Sequence, residues 1–545
     1  MKYFFTLLLL TAFQFSFAQK LSKSDKKLIS ALKDHIGYLA DDKLEGRRTG
    51  TAGEKLAYEY IIEQFENAGL AAMQNENYLQ EFDVIEGKQV KDETSFSVNE
   101  KPLELNKDFF PLAYSANATV QCDIYQSLKE EGEIWFYDLG EPLTKNANNP
   151  HYDLQDAMDK AIADYSKRGA TGIVFYNSSS IADNIKFDEK DKATIAKIPV
   201  IYLSKNAKTK YLKDETSMHS LKLNVLIEQK KRIGHNVIGY INNNAPTTII
   251  LGAHYDHLGY GEDHNSLYAG TTPMIHNGAD DNASGTAALI ELGKMLRSSK
   301  MKKHNYVFIA FSGEELGLYG SKYFTEHPSL NLTSVDYMIN MDMVGRLNDS
   351  THGLSIGGYG TSPSWNKLID TTNKYFKIKL DSSGTGPSDH TSFYRKDIPV
   401  LFFFTGTHAD YHKPSDDADK INYNGELQVI KLVYNIIKSS EGMDKLAFNK
   451  TRETSTGKST FKVSLGIMPD YTFSGNGVHV DGVSAGKAAE KAGIKTGDVL
   501  FQLGDHKFSD VQTYMDALNK FNKGDATRVK LMRGKQELVL DVVFQ

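Results

Sequence analysis

Apolar and polar positions along this chain change period from one stretch to the next, and the changes mark its elements. Between Leu28 and Leu70 the pattern predicts two helices, the second over 53–68, where Leu56, Tyr60, Ile61, Gln64 and Phe65 fall at helical spacing. Leu44-Glu45-Gly46-Arg47-Arg48-Thr49-Gly50 lies between them as a turn-rich loop. From Tyr78 to Val98 the pattern shifts to short strands. Residues 110–230 predict strands at 133–137, 172–176 and 198–203, with a helix over 153–168 ended by Gly169. From Asn236 onward the strands become continuous apolar runs, at 248–253, 306–311, 335–341 and 398–404, separated by helices over 285–296 and 317–326. A strand apolar on both sides is buried on both sides, so this part predicts a mostly parallel sheet with helices on both faces.

Residues 444–458 are polar and rich in Lys, Thr, Ser and Gly, which predicts a linker. Beyond it come short strands, a Gly-rich opening and a helix over 511–521, and no internal repeat is present. The fold class expected is therefore α/β, with an inserted α/β or β-rich module and a small terminal β domain. The boundaries expected are 1–18 for a leader, 19–110 and 231–443 for two parts of one α/β domain, 111–230 for the insert, 444–459 for the linker and 460–545 for the last domain.

Length supports this partition, because 545 residues exceed what one hydrophobic core usually serves. With 40% apolar and 24% charged residues the composition is that of a soluble globular protein. Sixty-three Lys+Arg against 69 Asp+Glu give a mild net charge of −6, which argues against nucleic acid as the main partner. The amino terminus reads as a secretory signal: Lys2, an apolar run from Tyr3 to Phe13, then Ser16-Phe17-Ala18 at the cleavage positions. The run is short for a membrane span, which needs roughly 20 residues, and no later segment is apolar enough for one. The expectation is export to the periplasm or the exterior, with no span after the signal is removed. The lone Cys122 rules out an internal disulfide and a Cys-rich zinc site, and is expected to serve as a small buried residue.

The candidate chemistry sits where the apolar runs stop. His254, Glu314, Glu315, Asp342 and His412 follow predicted strands, and Asp281 lies in Gly278-Ala279-Asp280-Asp281-Asn282-Ala283-Ser284-Gly285, a loop leading into a helix. In open α/β sheets ligands bind outside the carboxyl ends of the strands, so these side chains are expected to meet at one rim. Two histidines and three carboxylates suit two zinc ions sharing one carboxylate. Asp281 is assigned as the bridge, His254 and Asp342 complete one ion, and Glu315 and His412 the other. Glu314, adjacent to Glu315 and so pointing elsewhere, is assigned as general base in hydrolysis of an amide. Asp256, two residues past His254, is placed to accept from the second ring nitrogen of that histidine, the other reading being a turn aspartate. Tyr411 is placed to donate to a developing oxyanion, the other reading being ordinary packing. Ser388-Asp389-His390 reads as lining the site and not as a nucleophilic triad, since adjacent residues rarely point at one another.

These motifs, Gly252-Ala253-His254-Tyr255-Asp256-His257, the Gly278–Gly285 loop, Phe311-Ser312-Gly313-Glu314-Glu315-Leu316-Gly317, Asn340-Met341-Asp342-Met343-Val344-Gly345 and Tyr411-His412-Lys413-Pro414-Ser415-Asp416-Asp417, resemble those of zinc aminopeptidases of the aminopeptidase Y and aminopeptidase S type. The resemblance covers 231–440 and implies a zinc exopeptidase fold, two Zn2+ ions with the ligand roles above, peptide substrates cut at their amino ends, and a cis peptide at Asp281–Asn282. It also admits carboxypeptidases, one-zinc glutaminyl cyclases and receptors that have lost the ligands. The intact ligand set argues against a receptor, and the insert and length argue against a cyclase. Gly169-Ala170-Thr171-Gly172-Ile173-Val174 with Ile198-Pro199-Val200-Ile201 resembles a protease-associated domain. Ser464-Leu465-Gly466-Ile467, with Ala492-Gly493-Ile494 and Gly497-Asp498-Val499-Leu500, resembles a PDZ domain, which implies capture of a peptide or protein C-terminus. The competing class is a non-catalytic peptide-binding scaffold, which need not retain two metal ions.

Overall fold

A computed structural model describes residues 21–451 and 463–544, apart from 74–76, 148, 150–151, 192, 470–472, 474, 484–485 and 510. The predicted signal at 1–18 lies outside the described residues, as do residues 452–459 of the predicted linker.

The chain divides into two units, 83–232 and the remainder. The larger unit is built around a nine-stranded sheet. Its elements that matter for the site are α1 (Lys23–Leu39), α2 (Ala52–Asn67), β1 (Ile227–Ile241), β2 (Thr247–His254), α3 (Gly285–Arg297), β3 (His304–Phe311), α4 (Tyr319–Glu326), β4 (Val335–Met341), β5 (Gly353–Gly357), β6 (Lys377–Leu380), α5 (His390–Tyr394), β7 (Val400–Phe404) and α6 (Tyr423–Ser440). The strand order is β1-β3-β2-β4-β7-β5-β6. Pairs β3–β2, β2–β4, β4–β7 and β5–β6 are parallel, whereas β1–β3 and β5–β7 are antiparallel.

The continuous apolar strands are explained by burial on two faces. Ile249, Leu251, Phe308, Ile339 and Leu401 point into a core shared with Leu32 and Ile36 of α1, Ile61 and Phe65 of α2, Leu289 of α3 and Ile430 and Val433 of α6. Their alternate neighbours Ile250, Val307, Ile309, Met338 and Val400 point the other way, onto Phe324 of α4 and Phe393 of α5. The period of two is intact, but both halves are apolar.

Several elements differ from the pattern reading. The stretch expected to hold short strands contains one of twelve residues, Leu79–Val90, and then the short strand Ser95–Val98. β1, β5 and β6 carry no long apolar run and were not marked by it; β1 opens on the exposed segment Glu228–Lys231. The helix expected from Gly317 starts at Tyr319, because Gly317 (φ 109°) and Leu318 (φ 65°) hold left-handed backbone. Of the expected linker, Leu446 is buried, with its N–H donating to Asp336 Oδ1 at 2.7 Å, and Asn449 N donates to Thr361 O at 2.7 Å.

The unit 83–232 holds two four-stranded sheets. One, around Ser95–Val98, Met218–Val225 and Ala118–Tyr125, is antiparallel; the other runs Phe109–Pro111, Val200–Leu203, Gly172–Tyr176, Ile134–Asp138, its last three strands parallel. Cys122 is only half-buried there, on the side of its strand that packs against the core. Residues 463–544 form a separate β-rich core around Leu465, Val480, Leu500, Val529 and Leu531.

Candidate metal centre

The parallel pairing that builds the sheet also aligns its carboxyl ends. His254, the last residue of β2, is in register with Phe311, the last of β3. Asp342 follows β4, and its N–H donates to Phe403 O of β7 at 3.2 Å. Glu314 and Glu315 follow β3 through Gly313 (φ 70°), and His412 follows β7 by a loop, itself at φ 53°.

Asp281 reaches the same rim from the loop before α3. Its own N–H and that of Asp280 donate to Asp416 Oδ2 at 3.1 and 3.0 Å. The next side chain, Asn282, ties the loop to the end of β4: Nδ2 donates to Met341 O at 3.0 Å, and Oδ1 accepts from Met343 N at 3.1 Å and Gly285 N at 2.9 Å. The Asp281–Asn282 peptide is cis, the geometry the resemblance implies.

Five side chains proposed as ligands converge in two sets that share Asp281. His254 Nε2 is 3.4 Å from Asp281 Oδ1 and 3.3 Å from Asp342 Oδ1. His412 Nε2 is 3.3 Å from Asp281 Oδ2 and 3.2 Å from Glu315 Oε2. Two donors each bound to one tetrahedral zinc at about 2.0–2.1 Å stand about 3.3–3.4 Å apart. The four edges match that spacing, and one oxygen of Asp281 belongs to each set. Both histidines also turn their other nitrogen to a carbonyl: His254 Nδ1 to Asp256 O at 3.2 Å and His412 Nδ1 to Asn265 O at 2.9 Å. That fixes the tautomer with Nδ1–H donating, which leaves Nε2 as a free lone pair for an ion. The donor set is hard-to-borderline oxygen and imidazole with no thiolate, and so fits zinc.

Asp256 is placed differently from the alternation argument. Its carboxylate Oδ1 is 3.7 Å from His254 Nδ1, so the closer acceptor is its main-chain carbonyl. β2 has ended at His254, and strand alternation no longer governs Asp256. The carboxylate instead accepts from Glu314 N at 3.2 Å and from Thr49 Oγ1 at 3.1 Å, tying the general-base candidate to the Leu44–Gly50 loop.

The charges that act on Glu314 are those of His254, Asp342, Glu315 and Asp389. Burial first, then the neighbouring acids, push its carboxyl well above the ordinary carboxylate range, against the pull of His254. Glu315 goes the other way: burial alone would raise it, but His412 and the bond to His257 hold it at about 2. Tyr411 stacks on the ring of His412 at 3.9 Å. In Ser388-Asp389-His390, Ser388 Oγ accepts from Asn340 Nδ2 at 2.8 Å and the His390 ring stacks on Phe402 at 4.5 Å, so the three do not form a triad.

Two participants, His257 and Arg47, were not assigned from the sequence, and Asp389 was read only as lining the site. His257 Nδ1 lies 2.8 Å from Glu315 Oε1, which leaves Oε2 turned to His412. It is 3.9 Å from Asp281 Oδ2, longer than the four edges above. The run His254-Tyr255-Asp256-His257 contained the signal, a third imidazole three residues past the first. Burial first, then Asp256 and Asp342, raise Asp389 to about 7 against the pull of His254. Arg47 donates to Tyr255 O and Gly278 O, in the segments that carry His254 and Asp281.

Residues 236–437 match the model of peptidase family M28, and residues 452–543 match the PDZ domain. Aminopeptidase YwaD of Bacillus subtilis is 26% identical over 266 residues, covering 47% of this chain and 53% of that protein. A probable leucine aminopeptidase of Arthroderma otae is 28% identical over 211 residues, covering 36% and 55%. The chain spans about half the length of these curated relatives. Among solved structures, a zinc aminopeptidase from Bacillus subtilis aligns with a TM-score of 0.42 at 20% identity, over 78% of this chain and 96% of that one.

Proposed function

This chain carries a domain of peptidase family M28 followed by a PDZ domain, and from that premise we propose that it is an exported metalloaminopeptidase using two zinc ions to remove residues from the amino ends of peptides. The observation that carries the reading is Asp281, whose two oxygens each stand 3.3–3.4 Å from a different histidine. His254 and Asp342 would hold one ion, His412 and Glu315 the other. The chemistry two such ions supply when bound is acidification of water and polarisation of a carbonyl oxygen. The aminopeptidase names of the relatives support the exopeptidase direction.

The protein's own groups complete the account. Glu314 is hung from Asp256 by its main-chain N–H and is acted on by the charges of His254 and Asp342. Its carboxylate takes the proton of the attacking water and passes it to the leaving amine. Tyr411, held against His412, donates to the oxyanion. Residues 111–230 act as a protease-associated insert, and the PDZ domain captures a free C-terminus of substrate or partner. The apolar run at Tyr3–Phe13 directs export.

The test is Glu314→Gln assayed on aminoacyl-nitroanilides. Zinc content should stay at two per chain while kcat falls by about 10²–10⁴-fold, the usual share of a positioned acid–base group. Full activity in that variant removes Glu314 from the mechanism. Cleavage of wild-type substrates after N-acetylation would reject the aminopeptidase reading.

A further inference from the structure

In the loop between α1 and α2, Glu45 (φ 48°), Gly46 (φ 68°) and Arg47 (φ 48°) form three consecutive left-handed residues. Side chains with a Cβ disfavour that backbone, so the turn persists only where its surroundings hold it. Gly46 is obligatory, since a Cβ there would stand 2.6 Å from His276 O and 2.8 Å from Gly259 O. Gly259 N donates to Gly46 O at 3.1 Å and His257 N to Arg47 O at 3.3 Å.

The turn delivers a guanidinium to a fully buried position. Nε donates to Tyr255 O at 2.7 Å, Nη2 to Gly278 O at 3.0 Å, and Nη1 to Asn277 O at 2.6 Å and to Leu39 O. Tyr255 follows the ligand His254, and Gly278 stands three residues before Asp281. One side chain therefore ties both ligand loops to the end of α1. None of its four hydrogen bonds goes to a carboxylate, although burying an unpaired cation is costly. Its charge is balanced at longer range by Asp281, Asp256, Asp416 and Glu315, all acids of the centre.

Building on the reading of the centre as a metal site, we infer that Arg47 is a positioning residue that assembles the two ligand loops before any ion arrives. Its cation offsets the mutual repulsion of the acids, and its planar fork sets the spacing of the loops that carry His254 and Asp281. Lysine cannot replace it, because an ammonium offers its donors from one point and cannot span carbonyls from three segments.

The test compares full-length wild type, Arg47→Lys and Arg47→Met by zinc titration of the metal-free protein against a chromophoric chelator, with kcat and KM followed as free zinc is raised. In both variants the zinc Kd should rise about 10- to 100-fold, the usual cost of losing an outer partner of a metal site. Excess zinc should recover kcat, with KM within about twofold of wild type. Wild-type zinc affinity in either folded variant, whatever happens to its melting temperature, leaves Arg47 a merely structural residue and overturns the inference. Should neither variant fold, amide exchange on metal-free wild type decides: His257 N–H and Gly259 N–H should be protected before zinc is added, and protection that appears only with zinc refutes preassembly. A wild type that binds no divalent ion overturns the metal reading itself along with this role, whereas two ions bound equally by wild type and Arg47→Lys overturn this role alone.

Discussion

At the scale of single residues the centre turns on Asp281, because one of its oxygens belongs to each ligand set. Asp281→Asn keeps the shape but removes the negative charge that would offset two neighbouring cations. After dialysis, metal analysis should find close to no zinc in Asp281→Asn, and about one ion in Glu315→Gln, which spares the His254–Asp342 pair. Two retained ions in Asp281→Asn would remove the bridge. The proposed ligands were legible in the sequence because each stands where an apolar run stops or, for Asp281, where glycines flank an acid before a helix. Arg47 was not legible: its loop has no apolar period, and its partners are carbonyls, which leave no trace in residue identity. Asp256 was assigned to the right neighbourhood, and its main-chain carbonyl lies closer to His254 Nδ1 than the carboxylate does.

Among the elements, the strands buried on both faces were readable to within two residues, as β4 at Val335–Met341 shows. Strands at the margins were not: β6, Lys-Ile-Lys-Leu, is too short and too polar to stand out from a loop. Helix docking likewise depends on polar contacts that periodicity does not register. α1 is fastened to α3 by His35, whose Nε2 is 3.1 Å from Glu291 Oε1 and whose Nδ1 is 2.8 Å from Tyr60 OH, with Lys294 Nζ donating to the same Glu291 oxygen at 2.7 Å. Burial alone would raise Glu291, yet His35 and Lys294 hold it below the ordinary value. A depressed carboxyl pKa contributes stability that is present above the unfolded value of about 4.3 and is lost as pH falls through the folded value. Glu291→Gln should therefore cost about 1–3 kcal/mol at pH 7, with the deficit shrinking below about pH 4. Urea unfolding of the larger unit at both pH values checks this; an equal deficit at both would mean the carboxylate charge contributes nothing.

For the whole molecule, the sequence pattern conveyed a mostly parallel sheet with helices on both faces, and the structure has that arrangement. Its division of labour follows from where the chain is interrupted. The unit 83–232 enters between α2 and β2, so the first two helices, with the Arg47 loop between them, are separated in sequence from every proposed ligand yet pack in the same core. Long-range contacts of this kind bring seven acids and three histidines of the centre together from segments between His254 and Asp416. Such a concentration of buried acid has a physical reason if cations sit within it. Diffraction from crystals grown with zinc, recorded on both sides of the zinc absorption edge, addresses that directly. The account predicts two anomalous peaks about 3.5–4 Å apart with Asp281 between them, one against His254 and Asp342 and the other against His412 and Glu315. A single peak, or peaks away from Asp281, would contradict it.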